Sequence, residues 1–164
     1  MRHYTRLPSA AVLALVVSVA VGRAAGAGPL DGAEAAWGRG DYAIAFQLFR
    51  SLAELGDATA QKRLGEMYEQ GQSVPQDYTL AALWYRRAAD QGSKIAQWLL
   101  GTMYQTGNGV QRDYVQAHMW YNLSAARGWE PAVIARVALE REMTRAQIAQ
   151  AQNLARDWRP KPER

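Results

Sequence analysis

At 164 residues, 49% of them hydrophobic, the chain is long enough for one domain with its own core. It has no cysteine, which excludes disulfide staples, thiolate catalysis and a lipidated cysteine anchor, so its stability must come from packing. Its 19 Lys and Arg interleave with 15 Asp and Glu for a formal charge of +4; without a basic stripe, nucleic acid is not expected as a partner.

Residues 1–27 read as a leader. Arg2, His3 and Arg6 make a positive start, and residues 10–21, AAVLALVVSVAV, carry no charge. That run is about half of the ~20 residues a membrane-spanning helix needs. Its length and flanks, with Ala25-Gly26-Ala27 as an A-x-A site before Gly28, match a secretory signal peptide. A retained amphipathic or signal-anchor helix is the alternative. Cleavage would remove Arg2, Arg6 and Arg23, leaving 16 basic against 15 acidic residues. The expectation is a periplasmic or secreted protein with no stable membrane insertion once the signal is cleaved.

The mature domain, 28–160, is repetitive. Residues 60–95 laid over 96–131 give 15 identities in 36 positions, among them Leu64/Leu100, Gly65/Gly101, Met67/Met103, Asp77/Asp113 and Tyr85/Tyr121. A fainter copy over about 33–59 keeps Asp41-Tyr42, Ala45, Phe49 and Gly56 at matching offsets, after a segment about five residues shorter. A period in this range points to a solenoid.

Each copy reads as two helices, because Ala60, Leu64, Met67 and Tyr68 recur at spacings of three and four, as do Ala81, Trp84, Tyr85 and Ala88. Gly71 and Gly107 stand where a helix ends in a left-handed residue. Asp77 and Asp113 are placed as N-caps of the second helix, and Gly92 closes that helix with Ser93 capping the next. Gly65 and Gly101 fall inside a helix, where Gly costs about 1 kcal/mol against Ala; close approach of the paired helix would explain them. The repeated letters specify a stackable hairpin rather than chemistry.

After the repeats, Pro131 suits a helix first turn, and Thr144 with Gln147 forms a T-x-x-Q capping box opening a last helix that Pro160 and Pro162 stop. Capping helices are thus predicted over 131–158, covering the exposed end of the stack, with 161–164 as a tail. The whole is expected to be all-α: an α-solenoid of stacked helical hairpins, about eight helices.

The frame A-x-x-x-L-G-x-M-Y-x-x-G-x-x-V-x-x-D-Y-x-x-A-x-x-W-Y-x-x-x-A-x-x-G resembles the Sel-one-like repeat, a relative of the tetratricopeptide repeat, strongly over 60–128 and weakly over 33–56. The first full copy departs at Ser73, where Gly109 shows the usual glycine, and this bears on the loop geometry. The resemblance implies a right-handed superhelix whose first helices line a concave groove, and a protein or peptide partner; no histidine or cysteine cluster has metal-ligand spacing, and no cofactor or metal is expected.

Enzymatic constellations are thin. His118 is the one histidine of the mature chain and sits where the other copies have Ala82 and Phe46; it is read as a structural histidine. Glu66 and Glu69 could serve as an acid/base pair but are read as solvated side chains on an outward helix face. If Leu64 and Tyr68 point into the hairpin, Thr59, Lys62, Glu66 and Glu69, with Ile95, Trp98, Thr102 and Gln105 in the next copy, lie about 140 to 220 degrees around the helix. By resemblance these eight are the candidate partner contacts. Trp98 is the prominent one among them, with packing between repeats as its alternative role, while Tyr104 is assigned to the core. The functional expectation is a monomeric, non-enzymatic adaptor or regulator of the bacterial cell envelope that binds protein or peptide; an envelope hydrolase or other cell-wall-acting enzyme is the alternative.

Overall fold

The computed structural model describes residues 28–161. The leader read at 1–27 therefore lies outside the described residues. Eight α-helices follow one another: α1 (Pro29–Gly38), α2 (Tyr42–Glu54), α3 (Ala58–Gln70), α4 (Tyr78–Asp90), α5 (Lys94–Thr106), α6 (Tyr114–Ala126), α7 (Glu130–Glu140) and α8 (Arg145–Asp157). From α1 to α7 each helix packs on the next, giving a stack of hairpins.

The caps sit where the repeat frame puts them. The Asp57 carboxylate accepts the Ala60 N–H at 2.8 Å, and Asp77 accepts those of Thr79 and Leu80 at 2.9 Å. Asp113 does the same for Gln116 at 3.0 Å. α3 and α5 end at Gly71 and Gly107 with φ of 69° and 82°, the left-handed geometry that a residue without Cβ adopts at no steric cost. The Thr144 and Gln147 box closes on α8 as expected. Ser73 keeps a left-handed φ of 60°, close to the 69° of Gly109. The loop geometry therefore survives the departure from glycine.

Inside each hairpin the helical glycine is a contact surface. A Cβ on Gly65 would lie 2.6 Å from the Tyr85 ring, and one on Gly101 would lie 2.7 Å from the Tyr121 ring. Both tyrosines are buried, at 0% and 1% exposure. Their hydroxyls return to the first helix one turn beyond the glycine: Tyr85 donates to Glu69 at 2.6 Å, Tyr121 to Gln105 at 2.6 Å. Between hairpins the link is an amide. Gln61 and Gln97, both fully buried, donate at 3.2 Å to the carbonyls of Ala53 and Ala89 in the preceding helix, satisfying groups that would otherwise be costly to bury.

The C-terminal end departs from expectation. α8 does not stack beyond α7; it folds back on α6, where Trp158 meets Trp120 edge-on at 6.3 Å. Trp120 is in consequence 1% exposed, whereas its counterpart Trp84 is only half-buried. The predicted capping helix thus covers the outer flank of α6 and leaves α7 open, with Ile134 65% and Val137 47% exposed.

Candidate partner-binding face

The eight residues singled out from sequence lie at matching positions on α3 and α5, and the structure gives them unequal surroundings. Thr59 is exposed. Lys62 is buried at 8%, contrary to a groove-facing lysine, because its ammonium bonds Glu66 at 2.9 Å. Glu66 also takes Arg63 at 3.0 Å, and Arg63 forks onto both carboxylate oxygens of Glu34 in α1 at 2.8 and 2.9 Å. The Arg63 guanidinium lies 5.4 Å over the Trp37 ring as well. Burial opposes the Arg63 charge, yet the Glu34 and Glu66 carboxylates outweigh it and raise the basicity of the side chain.

Glu66 and Glu69, solvated on the sequence reading, are half-buried and partnered. Glu69 receives the Tyr85 hydroxyl; burial, seconded by that carboxylate, holds the phenol protonated far above its ordinary range. In the next copy Thr102 and Gln105 replace the two acids; the Gln105 amide oxygen accepts the Tyr121 hydroxyl proton at 2.6 Å, and the Thr102 hydroxyl lies 3.2 Å from the same phenol oxygen. Burial raises the Tyr121 phenol too, with the Thr102 bond acting in the opposite sense.

Trp98 takes the place of Lys62. It is half-buried, tilted at 59° against Trp129 with ring centroids 6.3 Å apart, and it packs beside the cluster of Ala117, Tyr121 and Leu139. Ile95 is likewise half-buried. Tyr104, assigned to the core from its spacing, is only half-buried; its hydroxyl receives Arg86, whose guanidinium also lies over its ring at 5.4 Å. The ring that fills the hairpin comes from the second helix, as Tyr121, and Tyr104 packs against the edge of that core.

His118 is fully buried, with Nε2 3.0 Å from Glu140, in keeping with a structural role linking α6 to α7. Among the described residues no group of three or more His, Cys, Asp or Glu could hold a metal ion, and no helix is long and apolar enough to cross a membrane. Sequence reasoning missed the open face of α7, a shallow apolar surface of Val133, Ile134, Val137 and Ala138 bordered by Arg141. A signal was present: Ile134 stands 36 residues after Trp98.

Hairpins stacked through buried amides, with their polar side chains bonded to one another, define an α-solenoid, the class of repeat scaffold that offers extended surfaces to partners. The Sel1 repeat model matches residues 31–57, 58–93 and 94–129, and the chain belongs to that family, whose repeats serve in general as protein-interaction scaffolds without catalysis. Among solved structures, it is similar to a protective antigen of uropathogenic Escherichia coli strains with an SLR fold, at 33% identity and a TM-score of 0.75 over 80% of this chain and 30% of that one. A Sel1 repeat protein from Oxalobacter formigenes shares the fold at 24% identity and TM-score 0.65, over 78% of this chain and 55% of that one. Helicobacter pylori cysteine rich protein B matches at 28% identity and TM-score 0.53, over 55% of this chain and 68% of that one. The chain thus spans about a third and about half the length of the first two. No curated protein matches it significantly.

Proposed function

We propose that this protein is a non-enzymatic adaptor of the bacterial cell envelope that holds a protein or peptide partner in the concave groove lined by its first helices. The observation that carries the reading is where the polar groups of that face, and the buried histidine of α6 behind it, are spent. Glu69 and Gln105 anchor tyrosines, Glu66 closes an ion network, and His118 is sealed on Glu140. A carboxylate or imidazole already committed to the scaffold is poorly placed for proton transfer, which needs a free group within reach of substrate. What the face offers instead is shape, with Thr59 exposed and Ile95, Trp98, Thr102 and Gln105 partly so. Aromatic residues in such positions dominate interface energetics.

The envelope location rests on the leader read at residues 1–27. Fractionation with N-terminal sequencing tests it: a periplasmic chain beginning near Gly28 is expected, and a membrane-bound chain retaining Met1 contradicts it. The groove is tested by placing a photo-crosslinking residue in living cells at Ile95 or Thr59, and at Ile44, which is 57% exposed on α2. A discrete crosslinked species from the first two positions and none from Ile44 is expected. The same species from all three would remove the groove assignment, and turnover of cell-wall material by the purified protein would favour the enzyme alternative.

A further inference from the structure

The 36-residue register continues past the matched repeats into α7. Ser93 and Trp129 are both N-caps; Ala96 and Ala132 are both fully buried, and Met103 and Leu139 are exposed by only 2% and 1%. α7 is therefore the first helix of a fourth unit, with most of its register positions altered: Arg136 stands for Leu64 and Leu100, Glu140 for Tyr68 and Tyr104, and two further changes bear on the helix that follows. Val133 replaces the amide of Gln61 and Gln97, and Val137 replaces Gly65 and Gly101. In the earlier hairpins a Cβ at the glycine position would lie within 2.7 Å of the tyrosine ring from the following helix. A valine there rejects a second helix in that geometry, and α8 accordingly packs on α6.

The face left open has an internal symmetry. Along one stripe of α7 run Glu130, then Val133 and Ile134, then Val137 and Ala138, then Arg141, a spacing that keeps all six on one side of the helix. Glu130 and Arg141 are both exposed, and neither is ion-paired to another described residue. Numbered about the midpoint between residues 135 and 136, the stripe is complementary to itself when reversed: 130 faces 141, 133 faces 138, and 134 faces 137.

We propose that this stripe docks a second copy of the chain, α7 lying antiparallel on α7 about a twofold axis. Ile134 then packs on Val137 of the other copy, and Glu130 pairs with Arg141 at both ends. A twofold interface requires a self-complementary patch. The charges choose the antiparallel orientation, since a parallel one would set like charges side by side. Four apolar side chains per copy fall short of the roughly 800 Å² per partner of a standard interface, so the dimer is weak, with a Kd on the order of 0.1 mM.

Sedimentation velocity on the full chain, from about 10 µM to about 1 mM, tests the proposal. The expected result is a sedimentation coefficient rising with concentration toward a dimer. Ile134→Asp should abolish the rise with an unchanged thermal melt, because the side chain is exposed. Glu130→Arg alone should weaken association about tenfold or more, by turning two exposed attractions into repulsions. The double variant Glu130→Arg with Arg141→Glu should restore it, and neither stickiness nor a fault in folding would be cured by adding a second substitution. A monomer throughout the range overturns the proposal and leaves the face to another occupant. Association indifferent to residues 130 and 141, as an apolar leader would produce, overturns it equally.

Discussion

The hairpins α3–α4 and α5–α6 and the terminal pair α7–α8 are written in one register but end in two architectures. In the hairpins a glycine admits a tyrosine from the following helix, and that tyrosine's hydroxyl is fastened one turn along. In the terminal pair the glycine is Val137 and the following helix goes elsewhere. The terminal pair lacks both halves of that contact, with Val137 at the glycine position and Asp157 at the tyrosine position, so a further hairpin of the same geometry has nothing to close on.

The largest test of that contrast removes the ring itself. Tyr121→Ala should cost about 4 kcal/mol, within the range for emptying a buried aromatic site, read from urea or thermal melts. Tyr104→Ala, on a half-buried ring, should cost visibly less. Filling the glycine comes next. Gly101→Ala should lose about 3 kcal/mol, at the upper end of overpacking costs, because the ring it meets is held at its hydroxyl. Val137→Ala, half-exposed, should stay within about 0.5 kcal/mol of the parent. Equal losses at positions 101 and 137 would abolish the distinction between the two architectures.

Alkali probes the same tyrosines without mutation. Both phenols are raised above their ordinary value near 10, so the unfolded chain releases their protons first. Their contribution is complete below that value and is lost as pH rises above it, by about 1.4 kcal/mol per unit for each group until the folded value is reached. Tyr121→Phe should flatten part of this alkaline slope in melts taken above pH 10.

Trp98→Ala should cost about 1 to 2 kcal/mol, more than a solvated surface site and less than a core aromatic, since the ring is half-buried against Trp129. Partner binding weakened by 2 kcal/mol or more would mark it as an interface hot spot too. The smallest effect is a gain. Ser73→Gly relieves a left-handed residue and should stabilise by up to about 1 kcal/mol, because the strain of about 1 to 2 kcal/mol is partly offset by the added freedom of the unfolded chain.

Much of the fold was legible because it is local. Caps at Asp77 and Asp113, left-handed ends at Gly71 and Gly107, and the box of Thr144 and Gln147 each depend on a few neighbouring residues. Gly65 and Gly101 were legible as close-approach positions because nothing else explains a glycine inside a helix. The candidate face was harder. Whether Glu69 meets water or the Tyr85 hydroxyl depends on a side chain sixteen residues away, and helical angle alone ranked Tyr104 above Trp98 for burial. The return of α8 was hidden because its amphipathic stripe fits either flank of the stack. The choice is made by contacts between distant residues, Trp158 on Trp120 in α6 and the loss of the glycine position at Val137.

The buried amide at positions 61 and 97 has a consequence for how such a chain can change in length. A new 36-residue unit inserted at the joint between Gly92 and Ser93 would arrive carrying its own glutamine, glycine and tyrosine. It would find a carbonyl ahead of it and an amide behind. Added after residue 129 in place of the terminal pair, it would dock equally well but leave the outer flank of its last ring without Trp158. Growth by duplication is therefore least disruptive in the middle, with α7 and α8 carried along unchanged as the closing module.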